Sequence, residues 1–164
     1  VLGEDDGYEH IYLEAAGKAA SDSTKLTWLD GGRFNTVTTA TREGDELLLA
    51  RLGANDPEFN LRRDPALIIR RQADGATVFA STIQYHGGYD PVSESAIDVS
   101  GGVGSIEVVP NVEGHSLVRI VWSEGEESLL IVADDDVREG ETQRLTVEGT
   151  AYEWTGPYHW IPGY

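Results

Sequence analysis

Apolar and polar residues alternate with a period of two along most of the chain, the signature of strands with one buried face. Turn residues interrupt the alternation about every 8–12 residues, the spacing of an antiparallel sandwich. Strands are predicted over 8–16, 25–29, 33–41 and 46–51, then over 66–72 and 77–85, with Asp74-Gly75 turning between the last two. Further strands are predicted over 105–109, 116–122, 128–133, 143–147 and 152–154. Asp30-Gly31-Gly32 sits between two such runs and reads as a tight hairpin, because these residues tolerate the positive φ it requires. Two stretches break the period, 52–65 and His86–Ser95, and long irregular loops in compact domains are often functional. The expectation is an all-β chain, an antiparallel β-sandwich spanning 1–164 as a single domain.

Composition narrows the class. Twelve basic residues against 29 acidic ones leave a net charge of −17. That balance argues against nucleic acid, whose binding depends on cations neutralising phosphates, and against anionic membrane surfaces. No apolar run approaches the roughly 20 residues of a membrane helix. With no cysteine, there is no disulfide framework, thiolate metal site or cysteine nucleophile. The chain opens on Val1 and contains no methionine, as expected of a processed or truncated piece of something longer.

Candidate chemistry is sparse. The four histidines, His10, His86, His115 and His159, form no zinc-like pair. His10 reads as a sheet-surface residue beside Tyr8 and Tyr12, His115 as a solvated turn residue after Glu113-Gly114, and His159 as packed among the C-terminal aromatics. His86 shares a loop with Tyr89 and Glu94, so a base, a phenol and a carboxylate could converge there. On spacing alone, a loop shaped by Gly87-Gly88 and Pro91 and capped by its polar groups is the stronger reading. Gly101-Gly102-Val103-Gly104 lacks a Walker lysine and reads as a turn. Asp134-Asp135-Asp136 lacks calcium-loop spacing and reads as a solvated turn. No cofactor or metal is implied.

Arg51, Arg62, Arg63, Arg70 and Arg71 crowd into 21 positions. A guanidinium fork matches a carboxylate with two parallel hydrogen bonds, so this cluster could hold a uronic acid. Ion pairing with the plentiful Asp and Glu, including Asp56, Glu58 and Asp64 nearby, is the favoured alternative. The aromatics of 152–160 could stack on sugars, but packing at a sheet end comes first.

Four ordered segments carry a resemblance. They are Arg51-Leu52-Gly53-Ala54-Asn55-Asp56-Pro57-Glu58-Phe59-Asn60-Leu61-Arg62, the tryptophan hairpin Trp28-Leu29-Asp30-Gly31-Gly32-Arg33-Phe34, the loop His86-Gly87-Gly88-Tyr89-Asp90-Pro91-Val92-Ser93-Glu94, and Tyr152-Glu153-Trp154-Thr155-Gly156-Pro157-Tyr158. Together they resemble the C-terminal β-domain of polysaccharide lyase family 17, the exo-acting oligoalginate lyases of the heparinase II/III-like group. One departure is Ile83-Gln84-Tyr85, where the family reads Ile-Glu-Pro. The resemblance implies a secreted or periplasmic enzyme that cleaves 4-linked uronates by β-elimination, with most of its machinery upstream on a helical toroid. This chain would then pack on that toroid and the remaining sheet, and would be inactive alone. It would contact alginate oligosaccharide through Glu94, with His86 and Tyr89 on the same loop and Arg62 matching a family arginine. A non-catalytic carbohydrate-binding module using Arg62, Arg63 and the terminal aromatics, or a purely structural β-sandwich, is the alternative.

Overall fold

A computed structural model describes residues 11–53 and 64–164. Among them the strands run β1 (Ile11–Lys18), β2 (Ser23–Asp30), β3 (Arg33–Ala40), β4 (Glu46–Leu52) and β5 (Asp64–Arg70). β6 (Ser81–His86), β7 (Gly88–Asp90), β8 (Ser95–Ile97), β9 (Val103–Val112) and β10 (His115–Trp122) follow. The series closes with β11 (Glu127–Ala133), β12 (Thr142–Val147), β13 (Thr150–Thr155) and β14 (Tyr158–Pro162). The described residues contain no helix, and every strand pairing is antiparallel. The all-β sandwich expectation holds.

The chain divides into two compact units. The smaller comprises Val1–Ser21 and Arg42–Gly75, the larger Asp22–Thr41 and Ala76–Tyr164. In the smaller unit, three strands pair in the order β1–β4–β5, with a bulge between Leu13 and Ala15. Its buried residues include Ala19, Leu48, Ala50 and the carboxylate of Asp45. β5 pairs with β4, whereas β6 pairs with β3, so Asp74-Gly75 does not close a hairpin between neighbours. A strong local turn signal reports a bend but not which strands meet across it.

The larger unit is built on the sheet β14–β11–β10–β9. Alternation sends Leu117, Leu129 and Ile131 to one face, where they meet Leu145, Val147 and Trp154 of the β12–β13 ribbon. It sends Val118 and Ile120 to the other, to join Val103, Ile106 and Ala40 of β3. This sheet is therefore covered on both faces, which is why β10 reads as a nearly continuous apolar run rather than a strict alternation. Ser23 Oγ accepts from the Ile106 amide at 3.2 Å and Gln84 Oε1 from the Val103 amide at 2.9 Å, pinning the β2–β3–β6 sheet to β9.

Candidate functional site

The β2–β3 hairpin and the β7–β8 hairpin are brought together at one end of the larger unit. Asp30 pairs with Arg33 across Gly31 and Gly32, whose φ values of 54° and 77° make the two-residue turn that matches strand twist. The Tyr89 amide donates to the Gly32 carbonyl at 2.9 Å, hanging the second hairpin on the first. Gly87, at φ 49°, is also sterically obligatory: a Cβ there would stand 2.1 Å from the Ile97 carbonyl oxygen. Between the hairpins lies an open groove of about 460 Å³, lined by Gly32, Arg33, Gly87, Gly88, Tyr89, Asp90, Ser95, Ile97 and Asp98.

His86 lies behind this groove rather than in its lining. Its Nδ1 is 2.6 Å from the Asp98 carbonyl oxygen, which can only accept. In the neutral ring Nδ1 therefore carries the hydrogen, and Nε2 accepts from Thr36 Oγ1 at 2.7 Å. Thr36 is in turn 2.7 Å from Thr27 Oγ1, and the Phe34 ring stacks on the imidazole with centroids 6.0 Å apart. With both ring nitrogens engaged, His86 ties the hairpin base to Thr36 of β3 and to the Asp98 carbonyl. Gln84, at the position where the resemblance departs, is the residue that holds Val103.

The segment 86–95, expected as a loop, is in fact mostly the β7–β8 hairpin. The Asp90 carboxylate closes its turn, accepting from the Val92 amide at 2.9 Å and from Ser93 Oγ at 2.8 Å. The Ser93 hydroxyl first, and the Val92 amide second, hold the Asp90 carboxyl below its usual range. Glu94 stands at the tip with φ 50°, exposed and outside the groove lining. Tyr89 lines the groove. Arg62 and Arg63 lie outside the described residues. Of the described residues expected to meet substrate, the fold thus brings Tyr89 into the groove lining and leaves His86 and Glu94 outside it.

Arg33 is the groove residue that sequence reasoning missed. Its Nη1 donates to the Gly87 carbonyl at 3.4 Å, and among the described residues it makes no ion pair. Three arginines of the 51–71 cluster behave differently. Arg51 pairs with Glu14 at 2.9 Å, Arg70 with Glu46 at 2.5 Å, and Arg71 forks onto Asp45 at 2.9 and 2.5 Å. Ion pairing, favoured for this cluster, accounts for these three. These partners are neighbours in the sheet or the β4 entry, and Asp56 and Glu58 lie outside the described residues.

The C-terminal aromatics divide. Trp154 is buried, its Nε1 donating to the Gly156 carbonyl at 3.1 Å, and it lies between His159, stacked at 5.4 Å, and His115, edge-on at 5.4 Å. His115 is therefore not a solvated turn residue. Glu113 and Gly114 form the turn, both at positive φ, and His115 opens β10 on the face that packs against Trp154. Tyr158 and Trp160 are exposed on β14, an edge strand.

No family model matches the chain. An alginate lyase of Stenotrophomonas maltophilia is 36% identical over 160 residues, which cover 96% of this chain and 21% of that protein. An exo-oligoalginate lyase of Saccharophagus degradans is 28% identical over 161 residues, covering 95% of this chain and 21% of that protein. The chain therefore spans about a fifth of the length of these relatives, as a C-terminal domain of an alginate lyase would.

Proposed function

We propose that this chain, homologous to a portion of alginate lyases, is the C-terminal β-domain of an exo-acting oligoalginate lyase of the heparinase II/III-like group, secreted or periplasmic. The observation that carries the reading is 36% identity sustained over 96% of the chain with an alginate lyase, supported by 28% identity with an exo-oligoalginate lyase. In this reading residues 1–164 act as one domain that packs on a helical toroid and forms one wall of its cleft. The wall is the β7–β8 hairpin, with Tyr89 toward the sugar, Glu94 at the rim to hold a hydroxyl, His86 fixing the hairpin base, and Arg62 contributing from its own segment.

The reaction is β-elimination. A base removes the C5 proton of a uronate, the electron pair forms the C4–C5 double bond, and the C4–O4 bond breaks as an acid protonates O4. Cations or hydrogen-bond donors at the carboxylate stabilise the charge that develops there. The described groove supports a binding role in this scheme: His86, the imidazole nearest to it in the fold, has both nitrogens committed. Docking on a larger body is supported by the face of β2–β3–β6 turned away from β9. Leu26, Val37 and Ile83 stand in one cross-strand row there and Trp28, Asn35 and Tyr85 in the next, with Ile83 66% and Tyr85 81% exposed.

The test is to incubate the chain alone with alginate oligomers and follow the ultraviolet absorbance of the unsaturated uronate. No turnover is expected. Turnover that disappears in a Glu94→Ala variant would overturn the reading by giving the chain a complete catalytic site.

A further inference from the structure

We propose that Arg33 is a carboxylate-binding residue, and that the groove between the two hairpins takes an acidic sugar ring with its carboxylate on the Arg33 guanidinium. This rests on the cleft-wall reading above and deepens it by naming the contact. Three observations converge. The first is charge: in a chain carrying −17, five arginines are neutralised by Glu14, Glu46, Asp45, Glu148 and Glu153, yet Arg33 has no ion pair among the described residues. Its one bond, to the Gly87 carbonyl at 3.4 Å, occupies Nη1 and leaves further donors of the fork uncommitted.

The second is the shape of the groove. Gly32, Gly87 and Gly88 line it, so a ligand can approach the backbone closely, and at Gly87 any side chain would collide with the Ile97 and Asp98 carbonyls. A volume of about 460 Å³ falls within the roughly 300–1,000 Å³ typical of small-ligand sites. The third is the company Arg33 keeps. Tyr89 offers a partly exposed ring, an apolar face with a polar tip suited to a sugar. Of the acidic residues lining the groove, Asp90 already accepts from Ser93 and Val92 within its own turn.

The experiment titrates the chain with a saturated alginate trisaccharide and, in parallel, with its carboxyl-reduced neutral counterpart, following the backbone amides of Gly32, Gly87 and Gly88 by NMR. Saturable shifts are expected with the acidic sugar only. Arg33→Gln should weaken binding about tenfold or more, since hydrogen bonds to a charged group contribute about 1.5–3 kcal/mol. Arg33→Lys, which keeps the charge and loses the fork, should recover part of the affinity, and Arg138→Gln, on an exposed turn, should leave it unchanged. A well-dispersed spectrum of each variant shows that it folds. Groove binding that Arg33→Gln leaves intact, or that the neutral sugar reproduces, overturns the assignment while the cleft-wall reading stands. Absence of any shift at these amides overturns the assignment too. The cleft-wall reading fails separately, on turnover by the chain alone.

Discussion

The two units bury different things. The larger unit closes over two apolar clusters, one on each face of β9–β10–β11–β14, with Ile131 and Leu129 almost fully enclosed. In the smaller unit, the described residues bury Ala19, Leu48 and Ala50, and next to these small contributions sits a nearly inaccessible ion pair. Arg71 and Asp45 have side chains only 4% and 3% exposed. Two of the contacts are the parallel bonds of a fork, and the Arg42 amide adds a third at 2.8 Å. The comparison teaches that one unit is held by transfer of apolar surface from water, which ignores pH, and the other leans on a charged group that does not.

The largest effects come from breaking each interior in its own terms. Asp45→Ala removes the carboxylate that Arg71 forks onto in a nearly inaccessible site and should cost about 3–5 kcal/mol. At roughly 0.1 kcal/mol per residue, that is comparable to the whole stability of so small a unit. Ile131→Ala removes a fully enclosed side chain and should cost about 2–5 kcal/mol in the larger unit. The two can be told apart optically, because all four tryptophans, Trp28, Trp122, Trp154 and Trp160, belong to the larger unit. In urea, Asp45→Ala should bring forward part of the far-ultraviolet circular dichroism transition and leave tryptophan fluorescence in place. Ile131→Ala should move the fluorescence transition. Coincident shifts of both signals in both variants would erase the contrast.

Acid should reveal the same division more gently. The Arg71 hydrogen bonds, which outweigh the opposing effect of burial, hold the Asp45 carboxyl below its free value of 3.8. A carboxyl with a lowered folded pKa contributes stability that is fully present above the unfolded value and is lost as pH falls through the folded one. Between pH 7 and 5 the smaller unit should therefore be unaffected. Below about pH 4 its share of the circular dichroism should become labile before the tryptophan signal changes. Fluorescence loss that leads or matches the loss of ellipticity on acidification would contradict this.

Much of the fold was legible because strand alternation and two-residue turns are local. Asp30-Gly31-Gly32-Arg33 announces its hairpin, and most predicted strands lie within a few residues of those observed. β14 escaped because Tyr158-His159-Trp160-Ile161-Pro162 opens on three aromatic rings in a row without polar alternation and ends in proline, which an edge strand tolerates. β7 and β8 escaped because Pro91 and the paired glycines read as loop, whereas Asp90, Ser93 and Ser95 supply the side-chain bonds that close a hairpin. His115 was misplaced because its burial comes from Trp154, 39 residues further on, and not from its neighbours. Arg33 was invisible for a similar reason. Its meaning comes from Gly87, 54 residues away, and from the lack of an acidic partner, neither of which sequence spacing encodes.

The smallest effect isolates burial as the variable. Arg144 and Glu153 face each other across β12 and β13, bonded through Nε at 2.6 Å, as short a contact as those of the Arg71 fork on Asp45. Their side chains are 77% and 59% exposed, so water already solvates both charges. Such a cross-strand pair contributes about 0.2–1 kcal/mol. Arg144→Ala should lower the stability of the larger unit by no more than that, read as a small shift in the fluorescence midpoint. The shift should shrink further as salt shortens the Debye length from about 10 Å at 0.1 M to about 3 Å at 1 M. A loss approaching that of Asp45→Ala would mean that arginine–carboxylate geometry, rather than exclusion of water, sets the strength of these pairs, and the distinction between the two interiors would collapse.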